Sequence, residues 1–146
     1  MAITQAMSTL FKKDLLLGDH HLDSDVIMIA LYTESATLNA TTDGYITAGQ
    51  VAQGNGYTTT GVALASKTVA ENSTSGVFDA ADPQWTSATF TARGALIYNK
   101  TLGDASNNAR GAIAILNFGG NFSVSGGTFR IVFPAATKDT AIVRID

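Results

Sequence analysis

The chain has 146 residues, a mass of 15.2 kDa, a net charge of −3 and an isoelectric point near 5.1. The absence of cysteine excludes a disulfide framework, cysteine-based zinc sites and thiol catalysis, and the lack of a basic excess argues against nucleic acid as a partner. Only 14% of the residues are charged, against about 25% in an ordinary globular domain, so the surface must be covered by Thr, Ser, Asn, Gly and Ala.

Such a surface suits a subunit of something larger or, equally, a simple β fold coated in threonine. The longest apolar run, 26–32, falls far short of the roughly 20 residues a membrane span needs. The first residues are broken by Thr4, Gln5 and the Lys12–Lys13 pair, so they lack a signal-peptide core. The expectation is one domain over 1–146, made and used without a cleaved export signal and without a membrane.

The N-terminal segment, 1–20, reads as helical. Leu10, Phe11, Leu15 and Leu17 recur near helical spacing, Ser8 offers an N-cap and Gly18 a stop. This predicts one short helix over 8–17, lying on the domain by its Leu/Phe face. After Gly18 the period becomes two. The run 26–32 is apolar on both faces and predicts a central strand buried on both sides.

Further along, 88–99 alternates, with Ala88, Phe90, Ala92, Leu96 and Tyr98 on one face and Thr89, Thr91, Arg93 and Asn99 on the other. Strands are also predicted over 111–118, 128–133 and 140–146, with weaker ones at 61–65 and 76–80. Between them "TTDGY", "GNGY", "DASNNARG", "FGGN" and "SGG" read as turns. The stretch 35–60 is polar and poorly periodic, either a long ordered excursion or a pair of short edge strands. The fold class expected is all-β, a mainly antiparallel sandwich or jelly-roll-like fold, with one short N-terminal helix.

Chemistry-bearing patterns are sparse. His20 and His21 are adjacent, and neighbours on an extended strand point to opposite faces, which is poor metal geometry. Asp19, Asp23 and Asp25 surround them, yet "GDHHLDSD" lacks the glycine and distal glutamate of a calcium loop. It reads as a polar helix-to-strand connection, and replacing both histidines by alanine is expected to leave the fold nearly intact. No G-x-S-x-G turn and no phosphate loop occurs. Glu34 and Glu71 are the two glutamates, and most aspartates sit in turn contexts, so paired carboxylates are not indicated. The sequons at Asn39, Asn72, Asn99 and Asn121 are expected in so threonine-rich a chain. No catalytic residue, metal or cofactor is expected.

Four stretches carry a resemblance when taken in order: "IALYTESATLNATT" (29–42), "WTSATFTARGALIYN" (85–99), "ILNFGG" (115–120) and "GTFRIVFP" (127–134). Together they resemble a family of small virion structural proteins of tailed bacteriophages and prophages. That family's "DLL-G-H"-like segment is matched by Asp14, Leu15, Leu16, Gly18 and His20 or His21, and its "GYTTTG"-like element by 56–61. The resemblance runs from about residue 9 to the C-terminus. It departs at Met28, where a basic residue often stands, and at Asn117, where an aspartate often precedes the "FG" pair.

The resemblance implies a non-enzymatic structural component of a phage particle, made in the bacterial cytoplasm. A capsid decoration (cement) subunit on the head exterior fits the composition best. Its partners would be the major capsid protein and copies of itself in a homo-oligomer, with no nucleic acid and no membrane; closed symmetry with two or three copies is expected. Candidate assembly residues are Phe11, Leu15, Tyr45 and Tyr57, with the stretch 35–60. The alternative is a tail- or fibre-associated module gripping host glycans through Tyr45, Tyr57, Trp85 and Tyr98, which requires exposed rings in a shallow groove.

Overall fold

The computed structural model describes residues 2–146. Among the described residues the chain forms β1 (Ala6–Met7), α1 (Thr9–Leu16), β2 (Ile27–Tyr32), β3 (Val62–Ala63), β4 (Thr68–Asn72), β5 (Ser75–Asp79), β6 (Gln84–Asn99), α2 (Lys100–Ser106), β7 (Ala112–Arg130) and β8 (Val143–Ile145). The strands make a five-stranded sheet, ordered β1-β7-β6-β2-β3, and a three-stranded sheet, ordered β4-β5-β8. Every strand pairing in the two sheets is antiparallel. The fold is all-β and sandwich-like, with a short helix near its start. Neither helix is long and apolar enough to cross a membrane.

β2 shows why the large sheet is buried on both sides. Ile27, Ile29 and Leu31 enter a core shared with Phe78, Ala80 and Val143 from the small-sheet layer. Met28, Ala30 and Tyr32 point the other way, into a second core with Ala36, Leu38 and Ile3. All six β2 residues are buried, as the uninterrupted apolar run predicts. Each such aliphatic side chain contributes about 1.5–3 kcal/mol relative to exposure. The stretch 35–60 supplies the cover on this second face. It is an ordered excursion, touching the sheet through isolated bridges such as Tyr32 with Gln50, and it contains no regular strand.

β6 departs from its predicted facing. Ala88, Phe90 and Ala92 do share one core, but Ala95 and Ile97 continue that face while Leu96 and Tyr98 enter the opposite core. The pairing of β6 with β7 slips between Ala92 and Gly94, and a slip of this kind moves every later side chain to the other face. The predicted strands 111–118 and 128–133 are one strand, β7, which ends at Arg130. The "FGGN" and "SGG" glycines are bulges inside it rather than turns. The ladder skips 118–121 and then Gly126, with Gly119 at φ +79° and Gly126 at φ +63°.

Three elements lie outside the predicted set. β1 is two residues long, and β4 forms a hairpin with β5 around Ser73, at φ +57°. The third is α2, where "DASNNARG" was expected to turn. Asn99 Oδ1 accepts from the Leu102 N–H at 3.1 Å, and Asn107 closes the helix in the left-handed region, both standard helix-end devices.

Candidate assembly surface

α1 occupies almost the predicted span, but its contacts differ from those expected. Ser8 sits at the N-cap position, yet its hydroxyl donates to the Thr42 carbonyl at 2.9 Å instead of capping. The first helical amide, that of Thr9, is satisfied by a neighbouring segment, donating to Ala40 O at 2.8 Å. Phe11 is fully buried, Leu15 half-buried, and Leu17 is exposed, as is Leu16 at 90%. Phe11 is therefore a core residue of its own chain, and Leu17 leaves the face assigned to it.

The "GDHHLDSD" loop closes a polar node around that phenylalanine. His20 packs edge-on against Phe11, with ring centroids 4.7 Å apart. Because Asn99 Oδ1 caps α2, its amide nitrogen faces the loop, donating to Asp25 Oδ2 at 2.6 Å and lying 3.2 Å from His20 Nδ1. An imidazole that accepts at Nδ1 carries its proton on Nε2, and that nitrogen is buried without a partner among the described residues. Burial holds the His20 pKa below its usual 6.5, against the opposing pull of Asp14 and Asp25.

Arg110 reaches in from beyond α2 to bind Asp14, 1% exposed at its side chain, and Asp19. Asp19 and Asp25 of the loop are thus engaged by the fold itself. Among the described residues no group of three or more His, Asp or Glu is placed to hold a metal ion. His21 is exposed, but His20 is not a dispensable connector, so alanine there removes a packed ring.

The tyrosines pin the excursion to the sheet. Tyr45 is half-buried, stacks on Tyr98 at 5.0 Å and donates to Gln50 Oε1 at 2.7 Å. Gln50 Nε2 donates to the Tyr57 hydroxyl at 2.7 Å, which also accepts the Leu31 N–H at 2.9 Å. Tyr98 donates to Thr60 O, and Tyr32 to Ile46 O. Burial pushes the phenols of Tyr32, Tyr57 and Tyr98 up, so they stay neutral at physiological pH. Tyr57, Tyr98 and Trp85 are all buried in the core. Of the four candidate assembly residues, Tyr45 and Leu15 keep some surface, while Phe11 and Tyr57 have none to offer. The rings proposed to grip a glycan, Tyr45 apart, face inward.

Exposed apolar surface gathers elsewhere. The outer halves of β6 and β7, pairing 84–92 with 122–130, extend past the end of β2 as a two-stranded arm. A shallow groove of about 470 Å³ runs along the arm, lined by Phe118, Phe122, Val124, Phe129, Ile131 and Val132 among others. Phe122 is 53% and Val132 73% exposed. Reading "FGGN" (118–121) and "SGG" (125–127) as turns between two separate strands hid this surface. The signal that could have found it is the absence of any charged residue between Arg110 and Arg130. Neither a protein-family model, nor a curated protein, nor a solved structure matches the chain.

Proposed function

We propose that the chain is a non-enzymatic structural subunit of a tailed-phage particle, a decoration subunit that stabilises the head shell from outside. The observation that carries this reading is the arm: exposed Phe122 and Val132 border an uncharged strand edge, while the buried tyrosines and the Asp14–Arg110–Asp19 cluster serve the fold. Apolar surface of this kind favours protein contacts. The sequence resemblance supplies the phage setting. The partners in this reading are the major capsid protein and further copies of the chain. Modest contacts repeated over a shell resist internal pressure through multivalency, without any single contact being strong.

Immunogold labelling of purified particles with an antibody against the chain tests the assignment. Label distributed over the head is the expected result. Label confined to the tail tip, or particles that lack the chain, would overturn it. Tyr57, Trp85 and Tyr98 face inward, so a glycan-binding alternative would have to use rings other than these three.

A further inference from the structure

We propose that the outer edge of β7, over 122–126, pairs with the same edge of a second copy, making one continuous antiparallel sheet across a two-fold axis. The inference rests on the reading of the chain as a subunit that assembles with itself, and it specifies the surface. On one side β7 pairs with β6. On the other, β1 covers only Ala114 and Ile115, and no strand among the described residues pairs with 122–130.

The direction of the unpaired groups follows from β6. Thr89 N–H donates to Asn55 O at 2.9 Å, on the side of β6 away from β7. Thr89 and its partner Ser125 therefore form a non-hydrogen-bonded pair, and so, two residues on, do Thr91 and Ser123. The 2.7 Å contact between the Thr91 and Ser123 hydroxyls fits the closer side-chain spacing of such pairs. In an antiparallel ladder the N–H and C=O of such residues point away from the partner strand. The backbone groups of Ser123 and Ser125 consequently face outward.

An extended strand can satisfy them as a set, because outward N–H and C=O groups at alternate residues match that geometry. Natural edges are blunted by charge, proline or shortness. β1 and β3 are two residues long, β4 carries Glu71 and β8 carries Arg144. The 122–129 edge has neither charge nor proline, so a second copy meets no like charge when it docks. Arg130, at the end of the arm, is already paired with Asp82 at 2.7 Å.

A register centred on Val124 sets Ser123 against Ser125 of the second copy and lays Phe122 over the bare Gly126. The pairing is isologous and closes at two copies, whereas pairing β7 to a different edge would propagate.

Light scattering and sedimentation of the purified full chain read the result. A dimer is expected, with Ser125→Pro weakening it by roughly 10–100-fold, since two outward hydrogen bonds are lost across the axis. Ser125→Ala should leave it unchanged. Circular dichroism shows whether the proline variant is folded. Should that variant misfold, Val124→Cys decides: in a chain without cysteine its disulfide can join only two copies, and the central non-hydrogen-bonded position has suitable spacing. A monomer at high micromolar concentration, a trimer, or a dimer indifferent to Ser125→Pro and not crosslinked at 124 would overturn the pairing. These outcomes are independent of where label falls on a particle, so the two proposals can fail separately.

Discussion

Tyr57→Phe isolates one hydroxyl whose role is to stand in for a missing strand. β3 pairs with β2 only at Met28 and Ile29, so the amide of Leu31 lies beyond its reach. The Tyr57 hydroxyl takes that ladder position, 2.9 Å from Leu31 N, and also accepts from Gln50 Nε2. Phenylalanine keeps the ring contacts with Trp85 and Phe90, so no cavity opens. The loss is the desolvation cost of a buried, unpaired N–H, about 1–3 kcal/mol. Gln50 is half-buried and can turn to water, adding little. For a domain of this size the expected fall in Tm is roughly 3–10 °C. Thermal unfolding by circular dichroism measures it, with Tyr45→Phe as control, because the Tyr45 hydroxyl sits at half-exposed surface. Amide exchange at Leu31 should accelerate in Tyr57→Phe alone. A Tm equal to that of Tyr45→Phe, with unchanged Leu31 protection, would refute the ladder role.

Gly61→Ala should fail to fold or unfold at far lower denaturant, because its Cβ would lie 1.8 Å from the Ile29 carbonyl oxygen at φ +84°; Gly18→Ala, with open space at φ +77°, should lose only about 1 kcal/mol. Denaturant titration of the two variants checks the contrast. Burial depresses the His20 pKa from 6.5, so the unfolded chain binds more protons below that value. Stability should be full above about pH 6.5 and fall as pH drops towards the folded pKa, levelling beneath it. Urea midpoints across that range should show the slope in the parent chain and a flatter profile in His20→Gln. Self-association through the uncharged arm should change less than about twofold between roughly 0.05 and 0.5 M salt, measured by sedimentation. Ser125→Lys should make it strongly salt-dependent.

The parts of the fold legible in the sequence are those where one physical demand dominates. In 26–32 an uninterrupted β-branched and apolar run has no use except between two layers. The α1 span was readable because apolar spacing, Ser8 and Gly18 agree, even though Ser8 caps nothing. Where two demands compete, the pattern misleads. The glycines of 118–127 have turn chemistry, but the long pairing with β6 absorbs them as bulges. The slip at Ala92–Gly94 reverses an alternation that is locally regular on both sides. Of the candidate assembly residues, Phe11 lies on the helix face that apolar spacing already turns towards the domain, and Tyr57 lies in a segment without clear periodicity. Such segments can cover a core as readily as a partner, and here 35–60 covers the second face of the large sheet.

That cover bears on how the thin surface charge is used. Compositional arguments offered a subunit or a threonine-coated monomer, and exposure distinguishes two parts of the surface. Threonines of 35–60 form local hydrogen bonds, as in the Thr41 hydroxyl donating to Asn39 Oδ1 and the Thr42 hydroxyl accepting the Asn39 N–H, so that polarity is spent within the excursion. The arm also carries hydroxyls, but at 122–130 its backbone edge has no strand to satisfy it and its groove holds half-exposed aromatic groups. Water can satisfy that edge, but only a partner strand removes the apolar flank from water at the same time. The same chain thus uses small polar residues to seal one face of a sheet, and omits charge from a long edge that no strand among the described residues covers.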